Sequence, residues 1–154
     1  MTDIQIVPES DFEQKRIGIL CLPGLETFIK PIAVHFEENY AVRTCYSNSM
    51  AELESVIDWA DLVFLEWANE LAIHVTNNID VKDKKVLIRL HSYEALSGYC
   101  AQIKWEEVDG LILVAQHIKD LLPKQQINLP KDLRTYIIPN GVNIKKFRRL
   151  TNEG

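Results

Sequence analysis

Lys84 to Leu96 reads KKVLIRLHSYEAL, and this stretch decides the fold. From Val86 to Leu90 it is close to a continuous apolar run, the pattern of a strand buried on both faces inside a parallel sheet. An imidazole, a hydroxyl and a phenol follow, those of His91, Ser92 and Tyr93. A helical pattern then extends from about Glu94 to Ile103. Ligands of an open α/β sheet sit just outside the carboxyl ends of its strands, so these three polar residues stand where binding or chemistry is expected. Gly98 falls inside that helix at a penalty of roughly 1 kcal/mol against alanine, which close packing on a neighbour would offset.

Working outward from this fourth strand, the same alternation repeats. Arg16 to Leu22 (RIGILCL) is the first strand, broken by Pro23-Gly24. A helix opens between Thr27 and Pro31, with the proline in its first turn. Phe28, Ile32 and Phe36, with Ile29 and Ala33 beside them, give it one apolar face. Val42 to Tyr46 is a second strand. Ser49 and Glu52 form the S-x-x-E pattern of a capping box before a helix lined by Leu53, Val56, Ile57 and Ala60. Asp61 to Leu65 is the third strand, Glu66-Trp67-Ala68-Asn69 the loop after it, and Leu71, Ala72, Val75 and Ile79 the inner face of the next helix. Downstream, Leu111 to Ala115 is a fifth strand, a helix from about His117 to Leu122 stops at Pro123, and Tyr136 to Ile138 is a sixth strand. Pro139-Asn140-Gly141 is a turn, and Asn143 to Leu150 a short helix.

Strands alternating with helices of this length predict an α/β fold: a doubly wound parallel sheet, Rossmann-like, with helices on both faces. The expected strand order is 3-2-1-4-5-6. That order makes strands one and four neighbours, sets Gly24 and His91 across one crevice, and places Gln116 and His117 on its far side. It leaves Glu66 three strand spacings from strand four, about 14 Å at roughly 4.8 Å each, and so argues against a Glu66–His91 pair. Residues 1–15 read as a leader, 16–147 as the domain, and 148–154 as the start of an interdomain linker or a truncation point.

The 154 residues are 47% hydrophobic and 25% charged, with a net charge of -5 and a pI near 5.4. An acidic balance argues against nucleic acid as a partner, since phosphate neutralisation needs a basic face. No stretch reaches the roughly 18 apolar residues that mark a membrane span, so no transmembrane segment is expected. The polar start lacks the apolar core of a signal peptide. Cys21, Cys45 and Cys100 are an odd count without C-x-x-C spacing, read as buried reduced thiols. Together these point to a cytoplasmic protein. The four histidines, His35, His74, His91 and His117, have no metal-ligand spacing, and no metal is expected. Lys145, Lys146, Arg148 and Arg149 read as a solvated helix face offsetting an acidic domain, or as a meeting point for a phosphate or an acidic partner surface.

Each candidate residue carries two readings. Gly24 permits close approach of a phosphate to a helix N-terminus, or is only a turn residue. His91 is a catalytic or sugar-contacting imidazole, or a helix cap; Ser92 reads first as an N-cap. Glu66 binds a hydroxylated ligand or is solvated. Trp67 stacks on a ligand ring or packs in the core.

The stretches LILVAQHIKDLL (Leu111 to Leu122) and YIIPNGVNIKKF (Tyr136 to Phe147) resemble glycosyltransferase family 4, retaining enzymes of the GT-B fold. In that family a strand leads to a serine-containing turn and a helix, and a later strand ends in P-N-G-V-D with a phenylalanine beyond. The likeness extends over most of Arg16 to Phe147, and the family also has a glycine after strand one and a histidine at the end of strand four, where Gly24 and His91 stand. It implies two Rossmann-like domains around a cleft, of which this chain matches the N-terminal, acceptor-side one. The partners implied are a nucleotide-sugar donor, a hydroxyl acceptor and a C-terminal Rossmann-like domain; no separate cofactor is implied. On this resemblance Gly24 approaches the donor diphosphate and His91 is the catalytic residue. Glu66, Trp67, Ser92, Tyr93 and Gln116 lie on the substrate side, and Asn140 and Gly141 form the interdomain turn. The chain departs from the pattern in three places: one glycine rather than two after strand one, Ala115 where serine is common, and Asn143 in place of aspartate. The alternative reading is a stand-alone, non-catalytic Rossmann-like module that binds a nucleotide or a partner protein.

Overall fold

The computed structural model describes residues 13–141. The expectations for residues 1–12, for the helix from Asn143 to Leu150, for the basic cluster and for the linker lie outside the described residues. Six parallel strands form one sheet: β1 Arg16–Leu20, β2 Ala41–Cys45, β3 Leu62–Glu66, β4 Lys85–Leu90, β5 Gly110–Leu113 and β6 Arg134–Ile137. Helices α1 Lys30–Phe36, α2 Met50–Trp59, α3 Glu70–Asn78, α4 Ser92–Leu96 and α5 Gln116–Lys124 alternate with them. The architecture is the doubly wound, Rossmann-like α/β fold.

The strand order is β2-β1-β3-β4-β5-β6, not 3-2-1-4-5-6. The reason lies in what each strand can expose. β2 carries Arg43 and Thr44 exposed, while β3 is buried along four of its five residues. A strand as apolar as Leu62–Glu66 needs neighbours on both sides, and β2 tolerates an edge. The chain must therefore cross β1 between β2 and β3. Gly18 permits the crossing: a Cβ there would stand 2.8 Å from Val56 Cγ1 and 3.0 Å from Ala60 Cβ, so α2 lies directly on the β1 backbone.

Side chains divide by strand parity. Ile17, Ile19, Cys21 and Phe64 face α1, where Ile29 and Ala33 close a small core. The opposite face carries the larger core, with Leu53 and Ile57 of α2, Val75 of α3, and Ile118 and Leu122 of α5 against Val63, Leu65, Val86, Ile88 and Leu90. Pro31 occupies the first turn of α1, as the sequence predicts.

Several local expectations are corrected. Ser49 is the N-cap of α2, but its side chain makes no capping hydrogen bond, so the expected capping box is absent. The helix expected from Glu94 to Ile103 ends at Leu96. Gly98 has φ +80° and carries the chain out of the helix just past its C-cap, the usual glycine stop, rather than sitting inside it. Ser92 is the first helical residue and His91 holds the N-cap position. Pro123 lies inside the last turn of α5, which runs to Lys124.

Candidate functional site at the carboxyl edge of the sheet

The chain leaves β1 one way toward β2 and returns the other way to β3. The switch point, where ligands of such sheets bind, is thus between β1 and β3, with β4 next in line. Three chain segments meet there: the loop after β1, the end of β3 with its loop, and the end of β4.

Register builds the site. Glu66 pairs with Arg89 across β3 and β4, and His91 follows two residues later, so all three side chains share the face toward α1. Glu66 is 0% exposed, and Arg89 and His91 are each 5% exposed. Arg89 Nε donates to both carboxylate oxygens of Glu66, at 3.1 and 2.9 Å. Its Nη2 lies 2.5 Å from Oε2 but off hydrogen-bond geometry, which leaves a buried guanidinium nitrogen without an acceptor. His91 Nε2 bonds Glu66 Oε1. A carboxylate only accepts, so Nε2 carries the hydrogen and Nδ1 is turned toward Asn140, whose Nδ2 is 3.5 Å away.

Glu66 therefore is neither a solvated loop residue nor remote from strand four. The expected separation failed with the strand order that implied it, and the Glu66–His91 pair exists. Arg89 escaped the sequence reading because it was absorbed into an apolar run. A cation in a strand otherwise buried on both faces is itself the signal, since a buried charge needs a partner.

Aromatic rings close over the imidazole. The Trp67 ring stacks on His91 at 3.8 Å and 26°, and Phe28 lies at 5.6 Å and 29°. Trp67 Nε1 donates to the Leu25 carbonyl at 3.0 Å, tying the β1 loop to the β3 loop. Trp67 holds φ 74°, a left-handed backbone uncommon for a bulky residue and of the kind that collects at functional positions. Beneath it, Glu94 Oε1 accepts from the backbone N–H groups of Ala68 (2.9 Å) and His91 (3.2 Å). Burial pushes the Glu94 carboxyl above its usual range, against those backbone bonds. Glu94 was also missed from sequence, although its place three residues after the cap is that of a capping-box glutamate.

The remaining candidates divide. Tyr93 is 67% exposed and stands beside this edge with Leu25 and Trp67. Gly24 turns the β1 loop at φ +85°, but the residues of that loop that reach the cluster are Leu25 and Phe28. Ser92 is exposed at the start of α4. Gln116 is exposed at the start of α5 and its amide donates to Asp120 at 3.2 Å. Gly141 is exposed beside Asn140.

The chain matches no family model, no curated protein and no solved structure. Among the described residues, no group of three His, Cys, Asp or Glu side chains is arranged to hold a metal ion, and no helix is long and apolar enough to cross a membrane. All three thiols are free and buried. Burial pushes those of Cys21 and Cys100 up to about 12, far from the thiolate character a nucleophile needs.

Proposed function

We propose that the chain is the acceptor-side domain of a retaining glycosyltransferase, moving a sugar from a nucleotide-sugar to a hydroxyl acceptor. The observation that carries the reading is the meeting of Asn140 with His91 Nδ1. The P-N-G turn and the strand-four histidine are 49 residues apart in sequence, and each was singled out by a different part of the family resemblance. Their meeting at the sheet edge where ligands of this fold bind supports a common site. In the reaction the anomeric C–O bond to the diphosphate breaks, the acceptor oxygen bonds the same carbon, and the hydroxyl proton passes to the departing phosphate oxygen. Such chemistry depends on preorganised charge around the leaving group. In this chain Glu66 orients the His91 ring, and the rings of Trp67 and Phe28 keep water from it. The Arg89 charge is committed to Glu66 and is not free for the diphosphate.

The test is transfer of radiolabelled sugar from uridine, guanosine and adenosine diphosphate donors, by the 154-residue chain and by the full product of its reading frame. The chain alone is expected to transfer nothing. A product continuing into a second α/β domain is expected to turn over, and His91→Ala, still folded by circular dichroism, to lose about 100-fold or more. Turnover by the chain alone, or an unimpaired His91→Ala enzyme, overturns the reading. The stand-alone module reading is favoured by Leu25, Phe28 and Tyr93, which are exposed to 37%, 43% and 67% around the buried charges. A stop codon after Gly154 with no transfer by the chain would support it.

A further inference from the structure

Beside the imidazole cluster lies a cavity of about 240 Å³. Leu25, Trp67, Tyr93 and Tyr99 form its apolar walls, and Glu70 and Glu94 contribute carboxyl groups. Trp67 belongs to both places, since the same indole stacks on His91. Tyr99 donates its hydroxyl to Glu70 Oε1 at 2.7 Å, which fixes that carboxylate and leaves its second oxygen to accept another donor. Glu94 is 1% exposed, and its Oε2 has no hydrogen-bond partner. That oxygen has no surface open to the cavity, so the Glu70 carboxylate is the acceptor an occupant meets.

The lining selects its occupant. Two acidic groups with no lysine, arginine or histidine among the residues around the cavity repel phosphate and carboxylate ligands. Three aromatic side chains favour a flat, partly apolar body, and the Glu70 carboxylate demands a hydrogen from it. The volume falls below the roughly 300–1,000 Å³ of drug-sized sites, enough for one small ring and too little for a nucleotide. We propose that this cavity is a subsite for a single uncharged pyranose ring, with ring C–H bonds against the aromatic walls and a hydroxyl donated to the free oxygen of Glu70. Its role as the acceptor position rests on the transferase reading; its ability to bind a sugar does not.

The test is a titration of the ¹⁵N-labelled chain with methyl glucoside, methyl galactoside and methyl mannoside, following the three tryptophan indole signals. Glucuronate and glucose 1-phosphate serve as anionic comparators. A saturable shift of the Trp67 signal is expected with at least one neutral glycoside at millimolar concentration, with the Trp59 and Trp105 signals unmoved. Glu70→Ala is expected to weaken it about 10-fold and Tyr99→Phe about 5-fold, the scale of one hydrogen bond to a charged group. No saturable shift with any glycoside overturns the proposal. So does equal binding of the anionic sugars, or a folded Glu70→Ala chain that binds as before. The two readings fail separately: glycoside binding by the chain with no transfer by a reading-frame product that continues into a second α/β domain removes the enzyme and keeps the subsite, while transfer by that product without a Trp67 response in the chain removes the subsite alone.

Discussion

Removing one partner of the buried ion pair should be far worse than removing both. Arg89 places one cation and Glu66 one carboxylate where water does not reach, joined by two hydrogen bonds from Nε and a close approach of Nη2. Arg89→Leu deletes those contacts and leaves Glu66 with His91 as its one remaining side-chain partner, so a loss of about 3–5 kcal/mol is expected, the range for a buried charge stripped of its partner. For a domain of this size that lowers the melting temperature by roughly 6–20 °C, at about 2–4 °C per kcal/mol. Glu66→Leu should behave likewise, because it strands the guanidinium. The double variant Glu66→Leu/Arg89→Leu removes both charges and extends the apolar strand pattern. It should recover most of the loss and lie within about 2 kcal/mol of the parent, since buried pairs are often replaceable by hydrophobic residues of similar volume. Urea unfolding followed by far-UV circular dichroism on the four proteins closes the double-mutant cycle. Single substitutions that each cost under about 1 kcal/mol, or losses that simply add in the double variant, would refute the argument.

Two further outcomes follow from the fold. Gly18→Ala drives a methyl group to within 3 Å of Val56 and Ala60 and should cost about 1–3 kcal/mol by overpacking, with Val56→Ala in the same chain recovering part of it; equal stability of Gly18→Ala and parent in urea would show that α2 does not rest on β1 there. The Asp61 carboxyl is held down at about 2 by hydrogen bonds from the Arg16 side chain and backbone. Because the folded value is depressed, its contribution is whole above the unfolded range near 3.8 and disappears as pH falls toward 2. The stability gap between parent and Asp61→Asn should therefore be open at pH 5 and close on acidification, and a gap independent of pH would contradict the pairing.

Strand positions were legible because each strand is an apolar run between breakers, and the observed ends fall within two residues of those expected. The order was not read correctly, although its signal was present: Arg43 and Thr44 mark β2 as an edge, and the run LVFLE marks β3 as interior. One misplaced strand argues against the Glu66–His91 pair, although Glu66 itself stays among the substrate-side candidates. His91 and Trp67 stand out because a polar or aromatic residue at a strand end contrasts with the apolar run before it, whereas Asn140 is marked only as part of the P-N-G turn. Arg89 and Glu94 were lost for the converse reason, one hidden inside a run and the other inside a helix assigned too long. Gly98 shows the same limit, since a glycine that ends a helix and one tolerated within it look alike until the backbone angle is known.

Trp67 is a residue on which two selective pressures diverge. Its left-handed backbone would be relieved by glycine or asparagine, whereas the stack on His91, the bond to Leu25 and the cavity wall all require a large ring with an N–H. In a library randomised at this position, a screen for thermal resilience and a screen for ligand capture should enrich different amino acids. The strained conformation is thus a record of which demand the sequence has been answering.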